Sequence, residues 1–84
     1  MFKVIFDDKA IDFLEKLDEK NRKRIFNKII STKEDPFHYF EKLTKTKFYK
    51  LRVGNYRIIA DIDENEIKIL VLLIGHRKNI YDKI

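Results

Sequence analysis

Residues 48–57, Phe48-Tyr49-Lys50-Leu51-Arg52-Val53-Gly54-Asn55-Tyr56-Arg57, decide the fold. Tyr49, Leu51 and Val53 alternate with Phe48, Lys50 and Arg52, the period of two that marks a strand with one buried face. Gly54-Asn55 follows, and both residue types tolerate the positive φ that a two-residue hairpin turn needs. Tyr56, Ile58, Ala60 and Ile62 then alternate with Arg57, Ile59, Asp61 and Asp63. Such a turn pairs Val53 with Tyr56 and Arg52 with Arg57, and cross-strand partners share a face. Lys50, Arg52 and Arg57 are therefore expected to form one cationic cluster. The opposite face carries Tyr49, Leu51, Val53, Tyr56 and Ile58, and helices are expected to cover it.

Downstream, Glu64-Asn65 turns the chain into Glu66 to Gly75, the most apolar strand and the expected centre of the sheet. His76-Arg77-Lys78-Asn79 then leads into a last turn or short helix containing Tyr81. Upstream, residues 31–46 show no clear period and read as a loop with aromatic anchors. Before them lie two helical stripes, Ala10, Ile11, Leu14, Leu17 and Ile25, Phe26, Ile29, Ile30. Asp7 or Asp8 caps the first and Asp18 the second, because a carboxylate accepts from orphan N–H groups at a helix start. Pro36 closes the helical region. Phe2 to Phe6 reads as a short strand. The order β-α-α-β-β-β predicts an α+β domain over residues 1–84, with an N-terminal helical hairpin packed on a mostly antiparallel four-stranded sheet.

Composition narrows the function. At 84 residues and 10.3 kDa the chain has room for one thin core and none for a deep, walled cofactor cleft. Cysteine is absent, which excludes disulfides, thiol catalysis and thiolate metal sites. The longest apolar run, Ile69 to Ile74, is too short for a membrane span, and no secretory signal is visible. A soluble, cytoplasmic protein without membrane partners is expected. The net charge of +5 is unevenly spread. Residues 1–41 are neutral overall, whereas Lys42 to Arg57 hold six cations and no acid, interleaved with Phe48, Tyr49 and Tyr56. Such a segment suits a polyanion, above all nucleic acid.

The inventory of reactive groups agrees. His38 and His76 are unrelated in spacing and lack a carboxylate cluster, so no metal or other cofactor is expected. The two glycines make no phosphate loop, and Ser31 is the sole serine. Phosphoryl chemistry run by cations remains. RNA carries its own nucleophile in the 2′-OH, so cleavage needs orientation, proton transfer and charge stabilisation. A lysine among cations can serve as a base, and an arginine fork can clamp a phosphate. These residues fit a simple RNA- or DNA-binding module equally well.

The hairpin Phe48–Arg57 resembles the central hairpin of the RelE/ParE superfamily of toxin–antitoxin toxins. Gly75-His76-Arg77-Lys78-Asn79-Ile80-Tyr81 is similar to the family's C-terminal G-H-R-x-x-x-Y signature. The likeness covers nearly the whole chain. It implies a microbial RNase-like fold and, in the RelE branch, metal-free cleavage of mRNA in the ribosomal A site, held in check by a RelB-like antitoxin in a hetero-oligomer. By that resemblance Lys50 takes a catalytic basic position, Arg57 and Arg77 contact the phosphate, and Tyr81 stacks on a base, although the Arg77–Tyr81 spacing is shorter than in some members. Lys47 and Arg52 are the candidates for a second basic position; with His76 and Lys78 they form the expected RNA-binding set. His76 could also serve as acid or base. Two other readings stand beside this one: a ParE-like poison of DNA gyrase with no nuclease activity, and a non-catalytic RNA- or ribosome-binding module. Ile59, Leu70 and Leu72 are expected on the cationic face, where the C-terminal segment or a partner segment would cover them.

Overall fold

The structure, a computed structural model, describes residues 1–80. The chain runs β1 (Lys3–Phe6), α1 (Asp8–Lys16), α2 (Glu19–Ser31), α3 (Pro36–Tyr39), β2 (Glu41–Lys42), β3 (Tyr49–Val53), β4 (Tyr56–Asp63) and β5 (Lys68–His76). The strands form one sheet in the order β1-β5-β4-β3-β2. β1 runs parallel to β5, and every other pair is antiparallel.

The α+β class and the helical hairpin are as expected, with three differences. First, the sheet has five strands, because Glu41–Lys42 pairs with Tyr49–Lys50 inside the segment read as a loop. Secondly, Pro36 starts α3 instead of closing the helical region. Proline lacks only an N–H that the first helical turn leaves unused, and its fixed φ suits that position. Thirdly, β4 is the middle strand, and β5 lies between it and β1. β5 also begins two residues later than expected, at Lys68 and not at Glu66. The Asp63 carboxylate accepts from the Asn65 and Glu66 N–H groups at 2.9 and 3.1 Å, and Ile67 turns the chain at φ 53°.

Local chemistry starts both helices. Asp7 accepts from the Lys9 N–H at 3.1 Å and Asp18 from the Asn21 N–H at 3.2 Å. The stripe that α1 buries is Ala10, Phe13, Leu14 and Leu17, with Phe13 in the place expected for Ile11, which is 38% exposed. Positions i, i+3, i+4 and i+7 give the narrower face, and Ile11 lies off it. α2 buries Ile25 and Ile29, whereas Phe26 stays 43% exposed and stacks on Phe6 at 5.7 Å between centroids. These stripes cover Leu51, Val53, Ile58, Ala60, Ile62, Ile69, Val71 and Ile74 on one face of the sheet.

The other face carries no helix among the described residues. Arg57, Ile59 and Asp61 share it on β4, with Gly75, Leu73 and Leu70 as their partners on β5. A bulge at Leu72 accommodates one extra residue opposite Ile59–Ala60. The chain beyond β5 folds back so that Ile80, 1% exposed, rests on Gly75. Part of this face is thus covered by the chain's own C-terminal turn. No helix is long and apolar enough to cross a membrane among the described residues.

Candidate functional site

The hairpin turn sets the site. Gly54 takes φ 59°, a conformation that a side chain disfavours, and the two-residue turn fixes the register Val53–Tyr56, Arg52–Arg57 and Lys50–Ile59. Lys50, Arg52 and Arg57 therefore share the helix-free face, as the alternation predicts. Like charges set opposite each other weaken a sheet. Among the described residues the one ion pair they form is that of Lys50 Nζ with Glu41 Oε2, at 3.8 Å.

Arg57 is the unusual member. It is 9% exposed, and its Nε and Nη1 are buried without a hydrogen-bond partner among the described residues. Leaving a buried donor unpaired costs about 1–3 kcal/mol, and more when the group is charged. An anion reaching this guanidinium recovers that energy, with a geometry suited to phosphate.

Lys50, Arg52 and Arg57 line a cleft of about 420 Å³. Its opposite wall comes from residues distant in sequence: His38 and Tyr39 of α3, and Lys28 of α2. Lys28 Nζ stands 4.9 Å from the centre of the Tyr39 ring, and the His38 ring meets Tyr39 edge to face at 4.9 Å. The aperiodic segment 31–46 concealed the part of this wall that α3 supplies. Its one legible sign was the density of aromatic residues around Pro36.

Three of the remaining expected residues, His76, Arg77 and Lys78, gather in a cleft apart from this one. Arg77 is exposed, and its N–H donates to the Asn55 carbonyl at 2.8 Å, which seats it at the hairpin tip. With Asn55, His76, Lys78 and Asn79 it lines a separate cleft of about 630 Å³ at the hairpin tip. Lys47 lies at the far end of β3, 3.7 Å from Asp61 and over the Phe48 ring. His76 departs from its expected position. Its ring packs at 5.0 Å from Tyr56 and 5.9 Å from Phe13, on the helix side of the sheet. β5 continues through residue 76, so alternation turns His76 away from Arg57, which pairs with Gly75. Tyr81 lies outside the described residues.

Arranged in this way, the cleft can hold a phosphate in a fork, place an ammonium beside it and present an aromatic ring at its rim. Comparisons with known proteins bear on what it serves. A family model described as the ParE toxin of type II toxin–antitoxin systems matches residues 4–81. Among solved structures, the toxin–antitoxin complex RelBE2 of Mycobacterium tuberculosis contains a chain similar at TM-score 0.84 and 22% identity, covering 90% of this chain and 98% of that one. The isolated RelE toxin of E. coli is similar at TM-score 0.77 and 21% identity, covering 99% and 94%. The RelB–RelE complex of Methanococcus jannaschii contains a chain similar at TM-score 0.73 and 26% identity, covering 95% and 98%. No curated protein matches the chain.

Proposed function

The chain belongs to the ParE toxin family of type II toxin–antitoxin systems, and from that premise we propose that it is an endoribonuclease that cuts mRNA on the ribosome. The observation that carries this reading is the buried guanidinium of Arg57 beside Lys50 and Arg52, whose Nε and Nη1 have no hydrogen-bond partner among the described residues.

In this reading the RNA 2′-OH attacks the adjacent phosphorus. The 2′-O–P bond forms and the P–O5′ bond breaks, leaving a 2′,3′-cyclic phosphate and a 5′-OH. Arg57 holds the phosphate oxygens and stabilises the charge that grows on them in the transition state. Lys50, held near the carboxylate of Glu41, exchanges the proton of the attacking or leaving oxygen. Arg77, two residues beyond the strand partner of Arg57, supplies a second positive charge, and Tyr81 stacks on a neighbouring base. The guanidinium groups supply the electrostatic stabilisation, with no metal or cofactor. The similar chains in the RelBE complexes are partnered by RelB; a RelB-like antitoxin is the corresponding partner here, in a cytoplasmic hetero-oligomer.

A second reading, the poisoning of DNA gyrase, is favoured by the name of the matching family model. One experiment separates them. Translating ribosomes with a defined mRNA are treated with wild type, Arg57→Ala or Arg77→Ala, and the message is mapped by primer extension. Cleavage at A-site codons by wild type, reduced by about 10²–10³ in Arg57→Ala, supports the nuclease. Intact mRNA under a wild-type protein that still arrests growth supports the gyrase reading.

A further inference from the structure

A second cleft, of about 530 Å³, adjoins the one that Arg57 lines. It is lined by Arg24, Asn27 and Lys28 of α2 and by Arg52, Val53 and Gly54 of the hairpin. Lys28 and Arg52 line both clefts and form the wall between them. We propose that this second cleft binds a backbone phosphate of the same RNA strand, on the flank of the one that Arg57 holds, through Arg24, Lys28 and Arg52.

Three observations support this. Positions 24, 27 and 28 fall at i, i+3 and i+4 of α2, so Arg24, Asn27 and Lys28 share one face of the helix and point two cations and an amide at the hairpin. Arg24 is held close to the hairpin tip: a Cβ on Gly54 would stand 2.9 Å from both Nη1 and Nη2. Arg24 is exposed, and its guanidinium lies over the glycine at the hairpin tip. Finally, none of Arg24, Lys28 and Arg52 forms a salt bridge among the described residues. Three like charges gathered without a carboxylate repel one another, and a phosphate between them removes the penalty.

The sheet edge provides the path. β2 covers only Tyr49 and Lys50 of β3, so Leu51 to Val53 form an open edge. The first cleft begins on the helix-free face at Arg57 and reaches Lys28 on the helix side around that edge. A single strand that leaves Arg57 can therefore bend over β3 toward Arg24. Lysine and arginine contacts to phosphate set position and affinity and are indifferent to sequence.

This inference rests on the RNA reading, and length dependence tests it separately. The probes are a 2′-O-methyl RNA dinucleotide and a hexanucleotide, which cannot be cleaved, titrated against the isolated chain at several salt concentrations. Wild type is expected to bind the hexanucleotide at least tenfold more tightly than the dinucleotide. Arg24→Glu, at an exposed position, should lose at least fivefold on the hexanucleotide and keep the dinucleotide affinity. Its slope of log affinity against log salt should fall by about 0.7, the value for one phosphate contact on a single strand. Arg24→Lys should restore most of the loss. Equal binding of the hexanucleotide by wild type and Arg24→Glu, or equal losses on both lengths, overturns the second subsite and leaves the RNA reading standing. A wild type that binds neither probe overturns the second subsite, while cleavage of mRNA on ribosomes, read by primer extension, decides the nuclease reading by itself.

Discussion

Ile80 lies on Gly75 so closely that a Cβ added to the glycine would stand 3.0 Å from the isoleucine Cδ1. Gly75 is also the strand partner of Arg57. The C-terminal turn, the glycine and the buried guanidinium thus occupy one patch of the helix-free face. A valine at position 75 drives Ile80 off the sheet. Gly75→Val should cost about 1–3 kcal/mol, as overpacking does, read as a lower urea midpoint. Gly75→Ala should cost less, because the atom it meets is the end of a flexible side chain.

Arg57 is held at the expense of stability. Replacing a buried charge that lacks partners by an apolar group of similar length is neutral or stabilising. Arg57→Met should therefore unfold at an equal or higher urea concentration than wild type while losing mRNA cleavage. A marked fall in the midpoint would show that the guanidinium helps to hold the fold together.

His76 sits in an aromatic group with Tyr56 and Phe13 on the helix side. His76→Ala should lower the melting temperature and leave the cleavage rate of the folded protein within about twofold of wild type. A loss of a hundredfold or more, with the fold intact, would place His76 in the chemistry instead.

Asp18 tests the helix start. Hydrogen bonds from the Asn21 side chain and N–H hold its carboxyl below the usual 3.8. A group whose folded pKa is depressed contributes stability above its unfolded pKa and loses it as the pH falls through the folded value. Asp18→Asn still caps the helix, so its melting temperature should match wild type at pH 7 and decline less steeply below pH 4. Asp18→Ala should melt lower at pH 7, because the cap is gone.

The hairpin and its three cations were legible because a period of two and a Gly-Asn turn encode both register and face. Little else about the site was. Lys28, His38 and Tyr39 reach the cleft through tertiary packing of α2 and α3 against β3, and no local pattern announces that contact. A two-residue strand and a four-residue helix are too short to show a period, so β2 and α3 were hidden in segment 31–46. His76 was misplaced for a different reason. The glycine before it reads as the end of a strand, whereas the ladder runs on and alternation assigns the histidine to the other face. The burial of Arg57 could not be read either, since it depends on the neighbours the fold gathers around the strand.

β1 finds its place only beside β5, where Lys3 is the partner of Lys68. β1 must therefore wait for β5 before it can join the sheet. Contacts so distant in sequence are slow to form. The patch beneath Arg57 rests on β5 too, so shortened chains that lack it miss both the sheet and the arginine's setting. The cationic face is therefore assembled only once β5 has taken its place between β1 and β4.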